Sequence, residues 1–142
     1  MKTLRISLIL ILIMALTPFS LSSQRDELIE RCASCIKAPF VSTGQAMKAF
    51  LTGDEVAEFH TSLYSGNVYR IAACSQELGN IVFSVYDKNR RLLFDSRQYP
   101  DLEYWDFKVD GSLECIIEAR LDAKKLNSGV VLVMIGFKSQ LN

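Results

Sequence analysis

A single histidine, His60, is all the imidazole the sequence offers, and no Gly-x-Ser-x-Gly elbow accompanies it. A nucleophilic site needs a base and an orienting group within hydrogen-bond reach, and none can be assembled from these residues, so no enzyme is expected. The pair Cys32-x-x-Cys35 has no second such pair beside it, which leaves poor spacing for zinc. Ile36 stands where covalent haem attachment requires His. No Lys/Arg cluster exceeds Lys88-Asn89-Arg90-Arg91, so a nucleic-acid footprint is missing. Internal repeats, low-complexity tracts and a Pro/Ser linker are also lacking, and no second apolar segment is long enough to span a bilayer. These absences leave a small domain without cofactor or metal.

What is present begins with an export pattern. Residues 1–23 carry Lys2 and Arg5, an apolar run from Ile6 to Leu16 too short for a membrane helix, and small residues at Ser20 to Ser23. Cleavage after Ser22 or Ser23 fits equally well. No Cys directly follows the run, so N-terminal lipidation is not expected. Residues 24–142 suit one domain. With Lys2 and Arg5 removed, fourteen basic side chains face sixteen acidic ones, a net charge of −2. The expectation is a periplasmic or secreted monomer.

From Asp26 to Ile36 the apolar residues Leu28, Ile29, Cys32, Cys35 and Ile36 fall on one helical stripe, so a helix is expected within 24–39, limited by Pro39. Ser42-Thr43-Gly44 reads as a turn. "QAMKAFL" fits strand or helix. Beyond it the period becomes two: Ala57, Phe59 and Leu63 share one face, and Glu58, His60 and Ser62 the other. Similar alternation follows in "VYRIAAC", "IVFSVYD", "YWDFKV" and "LECIIEARL", separated by Gly, Asn and Asp turns. The last strand, "GVVLVMIGFK", is apolar on both parities, as expected of a strand covered on both faces. Short strands in this series argue for an all-β fold, an antiparallel β-sandwich over 40–142 preceded by one N-terminal helix.

The series "GDEVAEFHTSLYSGNVYRI", "GNIVFSVYDKNRRLLFD" and "GVVLVMIGFK" resembles the bacterial prepeptidase C-terminal domain from about Phe40 to Phe137. The resemblance implies a small jelly-roll-like sandwich of the kind attached to exported enzymes, and stand-alone exported proteins of the same pattern. Its motifs specify turns and core faces, not chemistry. Some members of that family bind calcium near the domain start. Asp54, Glu55 and Glu58 occupy that place here without the dense alternation of ligands a hard cation needs.

Surface recognition is the remaining candidate. "RQYPDLEYWDF" places Tyr99 and Tyr104 among Asp101, Glu103 and Asp106, aromatic faces beside carboxylates that suit a carbohydrate or peptide contact. Trp105 and Phe107 share the core parity and are expected to pack. His60 is expected to be a solvated strand residue, and Asp87 and Asp95 to form turns and exposed ion pairs. The expected function is a non-catalytic binding or accessory module for a glycan, peptide or envelope partner. The alternative is a structural or interaction protein of the envelope without a small ligand. In an oxidising compartment Cys32, Cys35, Cys74 and Cys115 are disulfide candidates with three possible pairings. Cys74 and Cys115 lie on opposite parities, which favours bonds from the helix to the sandwich.

Overall fold

A computed structural model describes residues 20–141 except 78, 123, 125 and 126. The expected signal at 1–23 therefore lies largely outside the described residues. Within them, helix α1 (Ser20–Ala33) precedes eight strands: β1 (Val41–Thr52), β2 (Ala57–Leu63), β3 (Asn67–Ser75), β4 (Ile81–Asp87), β5 (Leu92–Asp95), β6 (Tyr104–Val109), β7 (Leu113–Leu121) and β8 (Ser128–Ser139). A 3-10 turn at Ser96–Gln98 follows β5. No described helix is long and apolar enough to cross a membrane.

The strands form two four-stranded antiparallel sheets, ordered β1-β8-β3-β6 and β2-β7-β4-β5. Their pairings are nested about the β4–β5 hairpin: β4 with β5, β3 with β6, β2 with β7 and β1 with β8. This is the jelly-roll order, two sheets facing each other across one core. Alternation places Ile71, Ala73, Phe83, Val85, Ile117, Ala119, Val131 and Val133 in that core, each fully buried. Trp105 and Phe107 pack against it, as their parity requires.

A second, smaller core explains why β8 is apolar on both parities. Leu132 and Met134 of β8 and Ala72 and Cys74 of β3 point away from the main core, and Leu28 and Cys32 of α1 cover them. A disulfide, Cys32–Cys74, joins the helix to β3 across this layer. The expected direction of bonding, helix to sandwich, is thus observed once. The expectation that all four cysteines pair is not: Cys35 and Cys115 are free, because Cys115 faces the inter-sheet core and Cys35 lies beyond the helix end.

Three local expectations change. The helix stops at Ala33, before Cys35 and Ile36. Ser34 N–H still donates to Glu30 O, but Cys35 and Ile36 N–H donate three residues back, to Cys32 and Ala33, so the chain tightens out of the α-helix. Ile29 leaves the buried stripe at 37% exposure. Ser42-Thr43-Gly44 lies inside β1, where the register with β8 shifts between Ser42 and Ala46. Gly44 takes φ +80° and its N–H donates to Ser42 Oγ, so the turn chemistry produces a bulge instead of ending the strand.

Candidate functional site

The segment read as a binding surface is split by strand alternation. Tyr104 and Asp106 point outward from β6, Trp105 and Phe107 inward. Tyr99 lies outside the strands and stays 41% exposed while stacking on Phe94 at 5.8 Å and against Trp105 at 4.5 Å between ring centroids. These aromatics close the sandwich where its edge strands β5 and β6 meet. Tyr104 instead stacks on Arg70, whose guanidinium carbon lies 4.2 Å from the Tyr104 ring and 4.2 Å from that of Phe40. Asp106 accepts from Arg70 Nε and Nη2 at 2.7 and 2.9 Å, a bidentate pair. Arg70 also donates to Cys35 O at 3.1 Å. It thereby clamps the end of the helical segment onto the sheet, a role that spacing alone does not reveal.

Asp101, Glu103 and Tyr104 do converge with Cys35, Gly79 and Leu102 around a hollow of about 380 Å³. Glu103 lies 3.7 Å from Arg31 Nε, and Cys35 Sγ donates to Glu103 Oε2 at 3.9 Å. Arg31 also donates to Ser75 O, tying the helix end to β3. Burial, with the Glu103 charge adding, pushes the Cys35 thiol up, and Arg70, Arg31 and Lys37 act against that.

A larger concavity lies elsewhere, and no expectation pointed to it. Edge strands β1 and β2 flank a cleft of about 630 Å³. Leu63, Tyr69, Cys115 and Ile135 form its floor, and all are buried. Thr43, Gln45, His60, Ser62, Lys88 and Glu114 supply polar groups at its rim. Tyr64, 63% exposed, stands at the margin, and its N–H donates to Tyr69 Oη at 3.0 Å. Val41 and Phe137, register partners at the adjacent end, are also exposed. Residues 41–46 of β1 are all exposed; Val41, Ser42 and Ala46 pair with β8 alone and residues 43–45 form the bulge between them, so the opposite side of this strand presents unpaired backbone groups. The sequence signal was available in the bulge triplet Ser42-Thr43-Gly44 and in a tyrosine beside a turn.

His60 sits on the rim with 69% of its side chain exposed, as expected of a solvated strand residue. Its Nε2 meets Glu58 Oε1 at 2.9 Å. Arg90 also binds Glu58, and these partners hold the Glu58 carboxyl below the usual range. Glu55 accepts from Thr52 N–H and Oγ at 2.8 and 3.0 Å. The carboxylates considered for calcium therefore face different partners. Asp87 and Asp95 are nearly buried, contrary to the expected exposed pairs, because backbone donors fold over them. Asp87 accepts from the N–H groups of Asn89 and Arg91 at 2.9 Å each, and Asp95 from Arg97 N–H at 2.9 Å. The Cys115 thiol, buried and with Asp87 adding to the effect, is pushed up to about 11.

No family model and no curated protein sequence matches the chain. Its fold is similar to that of PliG of Aeromonas hydrophila, a periplasmic lysozyme inhibitor of g-type lysozyme, with a TM-score of 0.52 and 12% identity over 66% of this chain and 85% of that one. A de novo designed double-stranded β-helix aligns with a TM-score of 0.35 and 13% identity, over 66% of this chain and 99% of that one.

Proposed function

We propose that this protein is an exported, non-catalytic binding module that receives an extended segment of a protein partner in the cleft between β1 and β2. The observation that carries the proposal is the free edge of β1 beside that cleft. An edge strand offers alternate N–H and C=O groups to an added strand, while the buried floor accepts every second side chain. Tyr64, large and exposed at the margin, supplies the rigid aromatic anchor that protein interfaces favour. Export is supported by the Cys32–Cys74 disulfide and by the signal pattern of residues 1–23. A sandwich of similar fold serves in A. hydrophila as a periplasmic inhibitor of g-type lysozyme, which makes a secreted g-type lysozyme the first purified probe. A glycan platform is less favoured, because one face of Tyr99 is taken up by Trp105 and one face of Tyr104 by Arg70.

Photo-crosslinking tests the proposal. Benzoylphenylalanine placed at Tyr64 or Ser62 is expected to yield a discrete adduct with one exported protein on illumination, and the same group at Tyr99 none. Adducts confined to Tyr99 and Tyr104, or glycan binding abolished by Tyr99→Ala and Tyr104→Ala, would overturn it.

A further inference from the structure

Cys35 stands beside a disulfide that it does not share. Its Sγ, Cys74 Sγ and a Glu103 carboxylate oxygen all lie within 4.8 Å of one another. Cys32 and Cys74 are fully buried, whereas Cys35 is half-buried and opens on the hollow that Asp101, Glu103 and Tyr104 line. We propose that these three cysteines form a thiol–disulfide exchange site with Cys35 as its solvent-facing member. The Cys35 thiolate attacks Cys74 Sγ, the Cys35–Cys74 bond forms, the Cys32–Cys74 bond breaks, and Cys32 leaves as the thiolate that takes up a proton. One disulfide and one thiol stand on each side, so no oxidant or reductant is consumed.

When all three thiols are reduced, the same geometry makes Cys35 the entry point for a low-molecular-weight disulfide. The Cys35 thiolate attacks it and releases one small thiol. Cys74 then attacks Cys35 Sγ and releases the second, and exchange passes the bond on to Cys32. Both pairings keep the N-terminal segment fastened to β3, with the attachment moved by three residues. The charged groups facing Cys35 are Glu103 ahead of β6, Arg70 of β3, Arg31 of α1 and Lys37 of the following turn. Because the attacking species is the thiolate, exchange is slow at neutral pH and rises about tenfold per pH unit until the thiol ionises.

Disulfide mapping of the oxidised, signal-free chain tests the proposal. Protein held at pH 7, 8 and 9 is quenched in acid, denatured, alkylated and digested. A Cys35–Cys74 peptide with alkylated Cys32 is expected, forming about tenfold faster at pH 8 than at pH 7. Glu103→Gln, which removes the adjacent negative charge, is expected to speed its formation. Cys32→Ser exposed to glutathione disulfide is expected to close Cys35–Cys74 and leave only Cys115 free. Folded Cys32→Ser that keeps Cys35 and Cys74 both free would overturn the proposal. If that variant does not fold, a wild-type map holding only Cys32–Cys74 at pH 9 would do so.

Discussion

Replacing Cys74 by alanine removes the sulfur through which the helical segment is fastened to β3, and the cost can be worked from the loop it closes. The two bonded cysteines are 42 residues apart in sequence. The chain-entropy relation for such a loop gives about 13 cal/mol/K, or about 4 kcal/mol at 25 °C, gained by the unfolded chain once the link is gone. The truncated side chain is fully buried beside Leu132, so lost packing adds to this. The loop entropy of about 4 kcal/mol by itself corresponds to a fall in Tm of roughly 12 to 20 °C for a domain of this size. Urea unfolding of the oxidised signal-free chain, followed by Trp105 fluorescence and far-UV circular dichroism, reads the loss directly. Wild-type protein treated with a dithiol reductant should fall by a similar amount. Cys32→Ala should fall less, since Cys35 can reach Cys74. A loss below about 1 kcal/mol for Cys74→Ala, with both probes coincident, would refute the claim that the staple holds the second core in place.

Gly136→Ala places a Cβ against Ile36 Cγ2 and 3.3 Å from Val41 O, so it should cost about 1 to 3 kcal/mol in a chemical denaturation, with Ile36→Ala restoring part of the loss. The carboxyls of Asp87, held down first by the Arg91 N–H, and of Asp95, held down first by the Arg97 guanidinium, lie below the usual range. Their contribution is complete above the unfolded value near pH 3.9 and is lost as pH falls through the lower folded values, so urea midpoints should drop as the pH is taken below about 4. Asp87→Asn should be less stable than wild type at pH 7, with the gap narrowing in acid. Ellman's reagent should reach Cys35 in the native protein and Cys115 only after unfolding. Rapid reaction of both thiols would contradict the burial of Cys115 between the sheets.

The sandwich was legible because alternation is enforced wherever one strand face is buried. Phe83, Val85, Ile117 and Val133 could hardly take another register. The double-sided pattern of β8 likewise announced a covering layer, and α1 is that layer. Less legible was anything decided by a helix end or a bulge. The stripe of α1 continues on paper through Cys35 and Ile36, yet the last turn tightens after Ala33, and this leaves Cys35 half-buried at the edge of the second core, opening on the hollow. The aromatic segment was legible as far as parity goes: Trp105 and Phe107 pack inward and Tyr99 and Tyr104 stay partly exposed, but their contacts with Phe94 and Arg70 come from distant segments. Arg70 went unnoticed because its partners, Asp106, Phe40 and the Cys35 carbonyl, come from three separate segments. The cleft left only indirect marks, the Ser42-Thr43-Gly44 triplet and a tyrosine beside a turn, since its shape depends on how two edge strands separate.

The affinity of the crosslinked partner for four variants tests the central claim most directly. Titration calorimetry with the purified partner should show Tyr64→Ala and Ser62→Arg weakened at least tenfold, about 1.4 kcal/mol, while Tyr99→Ala and Tyr104→Ala bind as wild type does. The opposite pattern, with cleft variants unaffected and binding lost at Tyr99 or Tyr104, would contradict it.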